Sequence, residues 1–174
     1  VDDLGPDYPG LAGMLYATGV RSKYPRARVL GINASKALEH PDVVRVITAD
    51  DIPGKKFIGH IVKDQPVLVG VGEITHFVGD AVALVVTRTR EALKEALDLM
   101  EVEWEELPPV TSAAQALDPD SPRVHPNGNL LREEIVDRGD AAAAIAASRH
   151  VVRQRFILPP TDHAFMEPEC AIGV

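Results

Sequence analysis

The side chains that most often bind metals and transfer protons are histidines, and this chain keeps them apart. The six histidines are His40, His60, His76, His125, His150 and His163. No two lie three to five residues apart, so the paired-histidine spacing of helical metal sites is absent. His163 and Glu167 would share a face of a helix, but Pro168 disfavours helical backbone at Glu167. We therefore predict no metal site there, and the run His163, Met166, Glu167 and Pro168 has no assigned role.

Nucleotide-binding and nucleophilic motifs are also absent from the sequence. Gly70 and Gly72 begin like a dinucleotide-binding loop, but Thr75 stands where the third glycine belongs and no helix is predicted to follow. Cys170 is the single cysteine, which excludes an internal disulfide and a cysteine-based zinc or iron–sulfur site. Its apolar neighbours favour a buried thiol over a reactive one. The residues by themselves therefore predict no catalytic, cofactor-binding or metal-binding site in this chain.

Composition excludes several classes of protein. The chain has 174 residues, 18 basic and 26 acidic, a net charge of −8, and 45% apolar residues. Disordered chains have less apolar content, and nucleic-acid-binding proteins need a basic surface. No apolar stretch is long enough to span a membrane, and the acidic N-terminus is unlike a signal peptide. We therefore expect a cytoplasmic protein with no nucleic-acid or membrane partner.

The elements that would position any site mix strands with isolated helices. Apolar alternation and β-branched runs predict strands over residues 14–20, 28–32, 43–48, 73–77, 81–86 and 100–105. Helical spacing predicts helices over 34–40 with Asn33 as N-cap, 89–100 and 112–117. Further along, we predict strands over 130–136 and 150–158 and a helix over 141–147 capped by Asp140. Because the order is not a regular βαβ series, the predicted fold class is α+β.

The segment 119–129 is rich in proline and contains an Asn-Gly pair, so we predict a linker there. The predicted domains are 1–118 and 130–174. In the first, Glu101, Glu103 and Glu105 alternate with apolar residues. A solvent-facing strand surface explains this pattern better than a cation site.

The order of short segments carries a family resemblance. The segments are Gly13–Ala17, Ala27–Val29, Pro41–Val44, Ile47–Gly54, Gln65–Leu68, Phe77–Val86, Glu101–Trp104 and Leu107–Val110. Over residues 10–118 the sequence resembles the α/β hammerhead domain of the molybdenum-binding large subunit of the xanthine dehydrogenase/aldehyde oxidase family. The later run from His163 to Pro168 resembles the segment that opens the molybdopterin-binding part of that subunit. The resemblance therefore implies a hammerhead domain followed by a truncated N-terminal part of the molybdopterin-binding domain.

The resemblance implies an enzyme that hydroxylates a purine, an aldehyde or an N-heterocycle with water as the oxygen source. It implies a molybdenum–pterin cofactor, with iron–sulfur clusters and often FAD on partner domains or subunits. The implied partners are the remainder of the molybdenum-binding subunit, the iron–sulfur and FAD components and a small-molecule substrate. The family's catalytic glutamate lies near the far end of the subunit, so Gly72-Glu73 does not take that role. Where many relatives have Gln-Pro, this chain has Asp80-Ala81.

Three hypotheses follow for function. The leading one is a fragment of a molybdenum hydroxylase subunit, inactive by itself and without cofactor. Its lack of an initiating methionine and its apolar last residues favour that expectation. The alternatives are a stand-alone hammerhead-fold interaction module without catalysis, and a small hydrolase whose site has no recognisable motif.

Overall fold

The computed structural model describes residues 12–60, 62–164, 166 and 171–173. In chain order the elements are β1 Tyr16–Arg21, β2 Ala27–Asn33, α1 Ser35–Leu38, β3 Val43–Thr48, β4 Phe57–Ile58, β5 Gln65–Pro66, β6 Ala81–Thr87, α2 Glu91–Asp98, β7 Glu101–Glu106, α3 Ala113–Ala116 and α4 Ala141–Ala147. Backbone contacts divide the chain into a first unit that ends at Leu130 and a second unit that begins at Leu131. This mixture of helices and sheets confirms the predicted α+β class. A search of the described ranges for a helix with the length and apolarity of a membrane span finds none.

The first unit is built around an antiparallel sheet in the order β1-β6-β3. The central strand β6 is an almost continuous apolar run, and Val82, Ala83 and Val85 are fully buried. Such a run is stable as a strand only where both faces are covered. Helix α2 packs on this sheet through Ala92 and Ala96, which are both buried.

A second antiparallel pair joins β2 to β7. Val29 lies opposite Trp104 across the pair and is fully buried. Trp104 also meets the ring of Tyr24 edge-on, with ring centroids 6.1 Å apart. The two sheets share one apolar core, in which Val29 of β2 clusters with Val82 and Val85 of β6.

Most predicted elements of the first unit are confirmed, but the strand predicted over 73–77 is wrong. That segment forms only one isolated bridge, between Ile74 and Arg28. Its backbone is held to β2 by the hydrogen bonds that flank this bridge, such as the donation from the Thr75 amide to the Ala27 carbonyl at 2.8 Å. Alternation of apolar residues predicted a strand here because the pattern does not reveal that only one residue finds a ladder partner.

The acidic residues of β7 pair with basic and polar side chains on neighbouring elements. Glu105 accepts from Arg28 Nε at 3.0 Å, and Glu101 contacts both Lys36 and Asn33. The hydrogen bond from Lys36 keeps the pKa of Glu101 below its ordinary value. These contacts agree with a solvent-facing strand surface, as predicted.

The second unit contains α4, and its predicted bounds and cap are confirmed. Asp140 Oδ1 accepts from the Ala143 amide at 2.8 Å, which satisfies one of the free donors of the first turn. The strands predicted over 130–136 and 150–158 are wrong, because no strand occurs among the described residues after 130. A strand exists only when its backbone groups pair with a neighbour, and these extended segments find none in the described part of the unit.

The predicted linker, 119–129, is held to the first unit by Asn129. The Asn129 side-chain amide donates to the carbonyls of Ala116 and Pro122, both at 3.0 Å, and accepts from the Val124 amide at 2.8 Å. His125 Nε2 also lies 3.4 Å from an Asp64 carboxylate oxygen. The predicted domain bounds at 118 and 130 stay a prediction.

A capping box at the end of β3 gives a prediction for pH dependence. The Thr48 amide donates to Asp51 Oδ2 at 2.8 Å, and Arg45 donates to Asp51 Oδ1 at 2.7 Å. These bonds, the Thr48 amide first, hold the pKa of Asp51 below its ordinary value. The stabilisation they give is present above the unfolded pKa of about 3.9 and is lost as pH falls through the lower folded value.

Measured by NMR of its side-chain carboxyl, the Asp51 titration should have its midpoint below about 3.9. Replacing Arg45 with alanine should move that midpoint upward, because one hydrogen bond to the charged form is lost. A midpoint at or above the ordinary value in the unmodified chain would contradict the capping geometry.

Candidate functional site

The motif predicted from the resemblance is only partly within the described residues. His163 follows an extended segment, and the next residue, Ala164, adopts a positive φ of 51° while its amide donates to Asp162 Oδ1 at 2.7 Å. Met166 is fully exposed. Glu167 and Pro168, like Cys170, lie outside the described residues. The structure therefore gives no geometry in which these four residues act together.

Three of the histidines are each paired with an acid. His40 Nε2 lies 3.0 Å from Glu95, His76 Nδ1 lies 3.3 Å from Asp80, and His125 pairs with Asp64. No group of three or more histidine, cysteine or acidic side chains with metal-binding geometry occurs within the described ranges.

The turn at Gly70–Glu73 is closed by its own acid. Glu73 Oε2 accepts from the Gly70 amide at 2.8 Å, and Gly72 has a φ of +89°, which glycine adopts without strain. The residues directly after this turn, 74–80, form no helix, so the strand–turn–helix context of a dinucleotide-binding loop is missing. Glu73 is thereby engaged in holding a turn.

The first unit has an open cleft of about 760 Å³ beside β2. We call it the β2 cleft. Its walls come from the start of β2, the β4–β5 hairpin, the 72–78 loop, residues 109–110 and residues 123–126. The volume lies within the range of small-molecule sites.

The wall formed by the 72–78 loop is anchored to β2. The Gly72 amide donates to the Val29 carbonyl at 2.7 Å, and the Val29 amide donates to the Glu73 carbonyl at 3.0 Å. Thr75 is buried, and its hydroxyl accepts from the Ala27 amide at 3.0 Å. These bonds fix the backbone of the 72–78 loop. The exposed side chains of Phe77 and Val78 on this loop line the cleft.

Asp80 closes the far end of this loop. Its side chain is buried, and Oδ2 accepts from the His76 amide at 2.7 Å and lies 3.3 Å from His76 Nδ1. The Asp80 carbonyl accepts from the Ser22 amide at 2.8 Å, which ties the loop to the end of β1. Asp80 therefore serves as the acceptor that shapes this wall of the cleft.

Replacing Asp80 with alanine should lower the free energy of unfolding by about 1–3 kcal/mol, because the His76 amide loses its charged acceptor in a partly buried setting. The asparagine variant keeps an acceptor oxygen at the same place and should lose less. Urea unfolding of both variants measures the difference, and NMR amide signals of Phe77 and Val78 should move more in the alanine variant. Equal stability of the alanine variant and the unmodified chain would contradict this role.

Sequence reasoning missed the β2 cleft. Its wall at 123–126 lies in the segment predicted as a linker, and its partner wall at 72–78 was predicted in part as a strand. The available signal was the pair of basic side chains, Arg123 and His125, among prolines. Proline-rich composition predicted a linker because composition does not reveal that Asn129 fixes the segment.

Comparisons with known proteins agree on one family. The model for "Aldehyde oxidase and xanthine dehydrogenase, a/b hammerhead domain" matches residues 7–108. The chain is 36% identical to a probable xanthine dehydrogenase subunit of Bacillus subtilis over 93% of this chain and 22% of that protein. It is 35% identical to the nicotinate dehydrogenase large molybdopterin subunit of Eubacterium barkeri over 92% of this chain and 37% of that protein.

Among solved structures, the aldehyde oxidoreductase of Desulfovibrio gigas matches with a TM-score of 0.75 and 31% identity. The match covers 85% of this chain and 17% of that one. The chain thus spans between 22% and 37% of the length of the curated relatives named above. The family model and these similar proteins all indicate the same family. The chain therefore belongs to the aldehyde oxidase and xanthine dehydrogenase α/β hammerhead family.

Proposed function

We propose that this chain forms the hammerhead part, and the start of the molybdopterin-binding part, of the molybdenum-binding subunit of a hydroxylase. One observation carries the proposal. The family model ends at residue 108, but similarity to the Bacillus subtilis protein extends over 93% of the chain. The sequence similarity to such a subunit therefore includes residues of both units of the structure.

The proposed whole enzyme oxidises a purine, an aldehyde or an N-heterocycle and takes the added oxygen from water. Its other components carry iron–sulfur clusters and FAD, and its location is cytoplasmic. The names of the relatives, which include xanthine and nicotinate dehydrogenases, support an oxidoreductase of this class. The comparisons give no support to a stand-alone interaction module, since the relatives named above are all much longer than this chain.

The molybdenum cofactor is proposed to be held by parts of the subunit outside this chain, and this chain is proposed to have a structural role in the subunit. By itself the chain is proposed to be inactive.

The second unit supports a role within a larger protein. Leu131 and Val136 are each 95% exposed, Val152 is 88% exposed and Leu158 is 83% exposed. Soluble proteins rarely leave such a series of large apolar side chains uncovered. The remainder of the proposed subunit would supply both the cover and the strand partners that 130–136 and 150–158 lack here.

Metal analysis tests the proposal. The natural protein that contains this sequence should hold about one molybdenum per chain after purification from cells supplied with molybdate, as expected for one cofactor per subunit. The 174-residue chain, purified from the same cells, should hold none. Absence of molybdenum from the natural protein would overturn the proposal, and stoichiometric molybdenum in the short chain would overturn its structural role.

A further inference from the structure

The side chains that line the β2 cleft include more basic than acidic residues, unlike the chain as a whole. The chain carries a net charge of −8, but the cleft is lined by three arginines and two histidines against a single acid, Glu73. An arginine of this lining that has no acidic partner would attract an anion.

Most of the charged groups in the cleft already have partners within the first unit. Arg26 donates to the Pro108 carbonyl at 3.1 Å, and Arg28 donates to Glu105 and to the Gly72 carbonyl, both at 3.0 Å. His76 and His125 pair with acids, and Glu73 accepts from the Gly70 amide.

Arg123 differs from these groups. It lines the cleft and is exposed, and no hydrogen bond or ion pair joins it to another residue in the described part of the chain. A guanidinium presents a planar set of donors that matches the two oxygens of a carboxylate. Arg123 is therefore the group in the cleft that is free to bind an anion.

Apolar side chains also line the cleft. Phe77 and Val78 are 57% and 58% exposed, and Phe57 and Val124 are each 43% exposed. Pro25 and Pro66 line the same space. An aromatic ring placed against such surfaces would remove apolar area from water on both partners, which favours binding.

We propose that the β2 cleft binds a small aromatic carboxylate, with its ring against the apolar walls and its carboxylate on the Arg123 guanidinium. The cleft volume of about 760 Å³ accommodates a molecule of one to three fused rings. All the residues that line the cleft belong to the first unit, and ligand binding there does not depend on the reaction that the larger protein catalyses.

The test is an NMR titration of the 174-residue chain with 2-naphthoate as the probe and neutral 2-naphthamide as its matched control. Naphthoate should shift the amide signals of Phe77, Val78 and Val124 in a saturable way. Naphthamide should bind at least about tenfold more weakly, because it lacks the charge that Arg123 recognises.

Two variants assign the effect to the proposed residue. Arg123→Gln should raise the Kd of naphthoate at least about tenfold, while Arg138→Gln, an exposed arginine of the second unit, should leave it within about twofold. Equal binding of the acid and the amide, an unchanged Kd in the Arg123 variant, or shifts outside the cleft would each overturn the proposal.

A final binding measurement distinguishes a small-molecule ligand of the cleft from a protein segment. An acetylated and amidated tetrapeptide, Asp-Phe-Asp-Phe, carries the same carboxylate and aromatic groups on a peptide backbone. Weaker binding of the peptide than of naphthoate supports the small-molecule site. Tighter binding of the peptide would overturn it in favour of a protein segment as the occupant.

Discussion

Replacing Val85 with aspartate should unfold the first unit. Val85 lies in the middle of β6, opposite Thr18 of β1 and Val46 of β3, and is fully buried in the core cluster. A carboxylate placed there has no cationic partner, and its burial without one costs several kcal/mol. We expect the free energy of unfolding to fall by more than about 4 kcal/mol, a large part of the stability of an ordinary domain.

The matched control for this prediction is Val44→Asp. Val44 has the same side chain but is 40% exposed and lies at the bulge of β3, where the register with β6 shifts. Its aspartate variant should stay within about 1 kcal/mol of the unmodified chain, because the carboxylate can reach water. Urea unfolding followed by circular dichroism measures both. Similar unfolding midpoints for the two variants would contradict the placement of β6 at the centre of the sheet.

Replacing Ala96 with phenylalanine should destabilise the first unit by about 1–3 kcal/mol or more, through overpacking. Ala96 is fully buried where α2 packs on the sheet, and it belongs to the core cluster. A phenylalanine there fits only if the helix moves away from β6. The expected result is a lower thermal midpoint together with shifted amide signals along α2 and β6.

Lys94→Phe provides the control on the same helix. Lys94 is exposed, so the new ring can lie on the surface. Both substitutions replace a good helix former with phenylalanine and therefore lower the helix propensity of α2 in the same direction. Its free energy of unfolding should change by about 0.5 kcal/mol or less. A Lys94 variant as unstable as the Ala96 variant would mean that α2 presents a different face to the sheet.

The elements of the first unit could be predicted because their patterns follow from burial. The β-branched run of β3 and the continuous apolar run of β6 are required by a strand buried between neighbours, and the structure confirms both. The apolar stripe of α2 likewise follows from one face packed on a sheet. In each case the partner lies within the same unit, so local pattern and tertiary contact agree.

The wrong predictions share one physical cause. The segments 73–77, 130–136 and 150–158 have strand-like alternation, but among the described residues the first has a single bridge partner, at Ile74, and the other two have none. Alternation reports which face of a segment is apolar and gives no information about whether a neighbouring strand exists. For the second unit, the exposure of Leu131, Val136 and Val152 shows that the expected neighbour is not supplied by the described part of this chain.

The candidate site was less predictable than the fold. The β2 cleft brings Arg26, His76 and Arg123 together from segments that are far apart in sequence, and no short motif records that proximity. Asp80 stood out in the sequence as a departure from the family pattern, but its role as acceptor for the His76 amide required the structure. No role is assigned to the motif from His163 to Pro168.

The most direct measurement is the source of oxygen in the product of the natural protein that contains this sequence. A panel of one purine, one aldehyde and one N-heterocycle would be incubated with the protein and an electron acceptor in water enriched in oxygen-18. For at least one substrate, mass spectrometry should show a hydroxylated or carboxylic product whose added oxygen comes from water. No turnover across the panel by molybdenum-loaded protein, or a product that carries oxygen from O₂, would contradict the assignment of this chain to a molybdenum hydroxylase.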